Sequence, residues 1–142
     1  MLRATGAVLG TAQTLILLAD ADAKLGRSVE GMNCLAEASQ IIATTDERYV
    51  EAEVHRLRGD LLNATGDGSA AEQSYRQALA VAKRQSAKPW ELRAATSLAR
   101  LWRDQSKRTE ARDLLAPVYG WFSEGFDTPV LQDAKALLDQ LG

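Results

Sequence analysis

At 142 residues, with 46% hydrophobic and 25% charged side chains, the chain can bury the core of one ordinary domain and needs neither a disulfide nor a metal to hold it. A formal net charge of -2 with both signs interspersed argues against general nucleic-acid affinity, and the single cysteine, Cys34, excludes an internal disulfide and fits a reducing compartment. The longest apolar run, Leu15-Ile16-Leu17-Leu18-Ala19, is far short of the roughly 20 residues of a membrane span, and Asp20 and Asp22 follow it without a cleavage site, so a cytoplasmic protein with no membrane segment is expected.

Abundant Ala, Leu, Gln, Glu and Arg, only three prolines and few β-branched runs predict an all-α fold. Residues 1–10 are expected to fray, because Gly6 and Gly10 weaken any helix there. From Thr11 to about Leu25, the residues Leu15, Leu18 and Ala19 make one apolar helical face, stopped at Leu25-Gly26-Arg27. Ser28 to about Ala43 returns with Leu35, Ala38 and Ile42 inward, and Thr44-Thr45-Asp46 ends it and caps the next helix. The second hairpin spans about Glu47 to Gln85, with Gly66 at its inner turn and Ser69-Ala70-Ala71-Glu72 matching a capping box. Pro89 opens the third hairpin, in which Trp90–Asp104 goes out and Thr109 to about Phe122 returns, with Pro117 expected to kink or shorten the returning helix. Thr128 as N-cap and Pro129 at the first position begin a last amphipathic helix over about 128–141, which shields the open end.

The strongest signal is an internal period. Gly26, Gly66 and Ser106, the three inner turns, stand 40 residues apart. The same step relates Leu18, Arg58 and Leu98; Ala19, Gly59 and Ala99; Gly31, Ala71 and Ala111; Leu35, Tyr75 and Leu115; and Ala38, Ala78 and Val118. Small residues at these positions let helix backbones approach, while the bulky ones fill between them. The pattern resembles a tetratricopeptide repeat, lengthened from the usual 34 residues. That resemblance implies one domain over residues 11–142, built as a right-handed α-solenoid of three hairpins (about 12–45, 52–85 and 92–125) with a capping helix.

A second resemblance is more particular. The stretches Glu51–Leu62, Glu91–Trp102 and Tyr119–Thr128 are similar to the C-terminal repeat region of large bacterial signalling ATPases, some of which also carry nucleotide-cyclase or transcriptional-regulator domains. It implies a scaffold portion of a bacterial regulator that binds protein or peptide, or alternatively a small-ligand sensor controlling a neighbouring ATPase or regulator domain.

Chemistry is sparse. Gly66-Asp67-Gly68 lacks the lysine of a phosphate loop and reads as a turn. His55, the only histidine, has Glu51 one turn away but no nucleophile or second acid, and Cys34 has no metal-ligating company, so packing is the expected role of both. Trp121, Phe122 and Phe126 are expected beneath the last helix. Neither enzymatic activity nor a cofactor is expected. Residues 1–71 carry six basic against ten acidic side chains, whereas residues 76–112 carry ten against three. That polarity points to an acidic partner near the third hairpin, or to a second copy of the chain docking head to tail.

In repeats of the type resembled, the first helix of each hairpin lines the concave surface. Carried onto this chain, the groove-facing positions are Gln13, Asp20 and Lys24; then Glu53, Arg56, Asp60 and Asn63; then Arg93, Thr96, Arg100 and Arg103. Such residues would read a peptide or protein segment by hydrogen bonds and charge pairing.

Overall fold

The computed structural model describes residues 11–44 and 50–142. Among them are seven helices: α1 (Thr11–Lys24), α2 (Ser28–Thr44), α3 (Glu51–Ala64), α4 (Gly68–Arg84), α5 (Lys88–Asp104), α6 (Arg108–Gly120) and α7 (Pro129–Leu141). No strand occurs among the described residues, and the chain is all-α. The expected fraying of residues 1–10, and the caps at Thr45 and Asp46, lie outside the described residues.

Each helix packs on the next, from α1 through to α7, and the odd-numbered helices α1, α3, α5 and α7 also each touch the next in that series. The turns explain why the pairs form. At four of them a residue with positive φ closes the preceding helix: Gly26 (75°), Gly66 (89°), Ser86 (54°) and Ser106 (65°). The following amide then reaches back to the last turn: Arg27 N–H donates to Asp22 O at 2.7 Å, Asp67 to Leu62 at 2.9 Å, Ala87 to Ala82 at 2.9 Å and Lys107 to Trp102 at 2.8 Å. This is the Schellman closure, which satisfies carbonyls that a helix end leaves orphaned. Gly66, Ser86 and Ser106 stand 20 residues apart, so the turn between α4 and α5 repeats the geometry of the inner ones. A serine pays in strain for the left-handed conformation that glycine adopts freely, roughly 1–2 kcal/mol, set against the smaller unfolded-state entropy that a glycine adds. Ser106→Gly is therefore expected to stabilise the chain by about 0.5 kcal/mol in thermal denaturation, and Ser86→Gly to act alike.

Helix starts differ from expectation in their chemistry. The capping box at Ser69 is not the cap, because α4 begins one residue earlier and the Asp67 carboxylate accepts the Ala70 N–H at 3.1 Å. Asp67 is placed by the Schellman turn just before it, and this fixes the helix start. Thr128 does precede α7, but its hydroxyl donates backwards to Gly125 O at 2.7 Å and caps no amide. Pro117 lies within α6, which runs on to Gly120 and stops short of Phe122. The prolyl ring is exposed, so it meets solvent and not a neighbouring helix.

Three of the sets of residues that stand 40 apart in the sequence are buried, whereas Leu18, of the set with Arg58 and Leu98, is 50% exposed. Ala19, Gly59 and Ala99 are buried, as are Gly31, Ala71 and Ala111, and Leu35, Tyr75 and Leu115. A Cβ added at Gly59 would stand 2.5 Å from Tyr75 Cε1, and one at Gly31 would stand 3.0 Å from Leu61 Cδ1. Small residues therefore mark where one helix presses on the next. Two main apolar clusters result: one joins α1, α2 and α3 around Leu15, Leu35, Leu57 and Leu61, and the other joins α4 to α7 around Tyr75, Leu92, Leu98, Leu115 and Leu137.

Candidate binding groove

The faces of α3, α5 and α7 that neighbour one another carry a network of charged side chains, with Glu53 buried in it. Arg56 sits at the centre, its side chain 12% exposed. It grips Glu53 with two bonds, Nε to Oε2 at 2.8 Å and Nη2 to Oε1 at 3.0 Å. Its Nη1 also reaches Asp60 Oδ2 at 3.3 Å, one turn further along α3, and Ser97 Oγ on α5 at 3.5 Å. The i, i+3 and i, i+4 spacings of one helix face bring these groups together. Burial works against the Arg56 charge, but the Glu53 and Asp60 carboxylates outweigh it and hold its pKa above the ordinary value. Asp60 is also fixed from α4, by the Tyr75 hydroxyl at 2.5 Å. Burial raises the Asp60 pKa, with Arg56 and Tyr75 opposing only part of that rise. A carboxyl so raised adds stability at low pH that is lost as pH rises through its folded value; ionised Asp60 is thus held in place by its partners at a cost. The Tyr75 pKa rises too, through burial first and the Asp60 charge second.

Cross-helix pairs continue from there. Arg93 on α5 meets Glu53 on α3 at 3.3 Å and lies over the Trp90 ring at 5.7 Å. Arg100 binds both oxygens of Asp133 on α7, at 3.0 and 2.9 Å. Arg103 donates to the side chain of Gln140, also on α7. Guanidinium groups thus tie α3 to α5 and α5 to α7.

Between the rungs lies a cavity of about 290 Å³, lined by Arg56, Arg93, Thr96, Ser97 and Arg100 together with Pro129, Val130 and Asp133 from α7. An adjoining apolar cavity of about 530 Å³ shares Val130 and is lined also by Pro89, Leu92, Trp121, Phe122 and Leu131. Positions 89, 92, 93, 96, 97 and 100 fall on one side of α5, so the two form one furrow, apolar at one end and arginine-rich at the other.

Of the residues proposed from sequence, Arg56, Arg93, Thr96 and Arg100 meet in this furrow, with Glu53 and Asp60 behind Arg56. Thr96 is buried, and its hydroxyl donates to Leu92 O at 2.8 Å within its own helix. Asp20 and Lys24 pair with each other on α1 at 3.3 Å, and Gln13 and Asn63 are exposed outside both cavities. Ser97, Pro129, Val130 and Asp133 were missed. One more 40-residue step from Arg93 lands on Asp133, and from Arg100 on Gln140, so a signal for α7 as the next member of the row was present.

The remaining candidates take structural places. His55 is half-buried between Glu51, at 3.9 Å, and Arg58, whose Nη1 is 3.2 Å from Nδ1; burial first and the Arg58 charge second lower its pKa. Cys34 is partly buried, and its thiol donates to Asp22 Oδ2 at 4.0 Å. The aromatic trio is not tucked beneath α7 as expected: Trp121 is 59% and Phe126 45% exposed, and only Phe122 is half-buried. Trp121 lies in the segment after α6, with Lys88 Nζ 5.5 Å from its ring.

Among the described residues, no group of three or more His, Cys, Asp or Glu side chains could hold a metal ion, and no helix is long and apolar enough to cross a membrane. The class these features define is an all-α protein with a charged furrow across its odd-numbered helices. No family model, curated protein or solved structure matches the chain.

Proposed function

We infer that the chain is a non-enzymatic interaction module that binds an acidic peptide or protein segment in the furrow between α3, α5 and α7. The observation that carries this reading is the convergence of Arg56, Arg93 and Arg100 on one cavity whose lining includes a single carboxylate, Asp133. The N-terminus of α7 adds a favourable dipole at the same place. An incoming carboxylate takes over the Arg100 fork from Asp133, and an apolar neighbour in the segment enters the Trp121 end. The matching turns and buried equivalents favour a right-handed tetratricopeptide-like solenoid of three hairpins with period 40. On that geometry the furrow lies on the concave side, which the first helix of each hairpin lines in repeats of the type resembled, and the chain acts as a cytoplasmic scaffold of bacterial signalling.

Arg93 and Arg100 are about two-fifths exposed and their pairs contribute little to folding, so changing them tests binding more than stability. Against acidic peptides in a fluorescence titration, Arg93→Gln with Arg100→Gln is expected to weaken binding at least about 10-fold, since each charged contact is worth roughly 1.5–3 kcal/mol. Asp133→Asn is expected to strengthen it by releasing Arg100. Equal affinity in all three proteins would exclude the furrow as the site.

The apolar cavity supports a second reading, a small-ligand sensor controlling a neighbouring ATPase or regulator domain, because about 530 Å³ is the size of pocket that small molecules fill. A metabolite that fills it must raise the melting temperature of the wild-type chain and not of Leu131→Trp.

A further inference from the structure

We propose that the furrow takes an amphipathic monocarboxylate, an unbranched alkyl chain ending in a carboxylate, with its head on Arg100 and its tail in the apolar cavity beside Trp121; this rests on the reading that a small molecule fills that cavity. The two cavities share Val130. Pro89 at the apolar end and Arg100 at the charged end both lie on α5, about three turns or roughly 16 Å apart along its axis, so one extended alkyl chain spans them.

The head is placed by which cation can be given up by its present partner. Arg100 already holds a carboxylate, its Nη2 meeting both oxygens of Asp133 at 3.0 and 2.9 Å. That partner is exchangeable, because the Asp133 side chain is 59% exposed and is hydrated when it turns outward. Lys88 is the rival seat, with its Nζ 5.5 Å from the Trp121 ring. Its own partner, however, is Glu91 at 3.2 Å, whose side chain is 7% exposed, and a ligand that took Lys88 would strand that carboxylate in the interior. Glu124, which lines the apolar cavity, repels an anionic head at that end as well.

The tail is selected by the opposite wall. Pro89, Trp121, Phe122 and Leu131 present hydrocarbon, Pro89 has no amide hydrogen, and the Thr128 hydroxyl already donates to Gly125 O. A peptide backbone laid along this wall would lose its hydrogen bonds to water and find few in return. A peptide therefore enters with one side chain, whereas an alkyl chain loses no hydrogen bond and follows the cavity for its whole length. Head and tail chemistry together define one ligand class and one orientation.

The test is isothermal titration calorimetry of the whole chain with the straight-chain acids from butanoate to decanoate and with the alcohols of the same lengths. Affinity is expected to rise about two- to four-fold per added methylene until the tail fills the cavity, and each acid is expected to bind at least about 10-fold tighter than its alcohol. Arg100→Gln is expected to abolish the preference for the acid and leave the gain per methylene. Trp121→Ser, at a largely exposed position beyond the end of α6, is expected to keep that preference and lower the gain. Equal affinity for acids and alcohols, binding indifferent to chain length, or acid binding unchanged in both variants would each overturn the proposal. Absence of binding by every acid would overturn it too, while the small-molecule reading beneath it is judged separately, by the melting-temperature comparison with Leu131→Trp.

Discussion

Arg56→Ala is expected to destabilise the fold by about 3–5 kcal/mol, read as a lower urea midpoint with the slope unchanged. The size comes from what the substitution leaves behind. Glu53, with its side chain 7% exposed, would keep only the single contact with Arg93, and Asp60 would keep only the Tyr75 hydroxyl. Glu53 would then be buried without its bidentate partner, and Asp60, its side chain 34% exposed, would lose the cation beside it. Arg56→Lys is expected to recover little, because an ammonium cannot make the paired Nε and Nη2 bonds to Glu53 while also reaching Asp60 and Ser97. Replacing Glu53 and Arg56 together by methionine is expected to recover most of the loss, since a buried pair exchanged for apolar groups of similar volume is often neutral. A loss below about 1 kcal/mol for Arg56→Ala would show that water reaches Glu53 and that the network is a surface feature.

Gly59→Ala is the second large effect, with the opposite sign to helix propensity. Alanine in place of an interior helical glycine normally stabilises by roughly 0.5–1 kcal/mol. Here the new methyl would sit 2.5, 2.7 and 2.9 Å from Cε1, Cδ1 and Cζ of Tyr75. The ring cannot swing aside cheaply, because its hydroxyl is tied to Asp60, one residue along from Gly59 on the same helix. Overpacking of this kind costs about 1–3 kcal/mol, and the release of the hydroxyl bond to ionised Asp60 adds to it, so a net loss of about 2–4 kcal/mol is expected. Pairing Gly59→Ala with Tyr75→Leu should be less harmful than the sum of the single changes, and the double-mutant cycle measures how much of the cost lies in this one contact. Strict additivity would place the cost elsewhere.

Much of the fold was legible because its determinants are local or periodic. Gly26 and Gly66 mark turns through backbone freedom, and the buried small residues mark helix contacts through size. Even Ser106, with no conformational preference for its place, was found by spacing alone. What escaped was information held in three dimensions. The Asp67 cap depends on the turn before it, which positions that carboxylate and leaves Ser69 past the start of the helix. Trp121 and Phe126 were expected to be covered because of their size, but α6 ends at Gly120 and the segment that follows leaves both largely in solvent. Glu53 and Thr96 were picked as reading residues, yet one is occupied with Arg56 and Arg93 and the other with its own backbone. A sequence period identifies which residues share a face; it does not reveal which of them are already spoken for by their neighbours.

The division of the interior into two clusters shapes how the chain loses its structure. One apolar mass ends with α3 and the other begins with α4, and the α3–α4 seam between them is bridged by a small third cluster of Ala52, Val81 and Ala82 and by Tyr75 resting on Gly59. A linear array joined in this way need not melt as a unit. Strain introduced at the amino-terminal pair is shared with α3, whose Val54, Leu57 and Leu61 lie in the same cluster, before it reaches α5 to α7. Loosening the seam itself would separate the two halves and make their cooperativity measurable as two transitions in place of one.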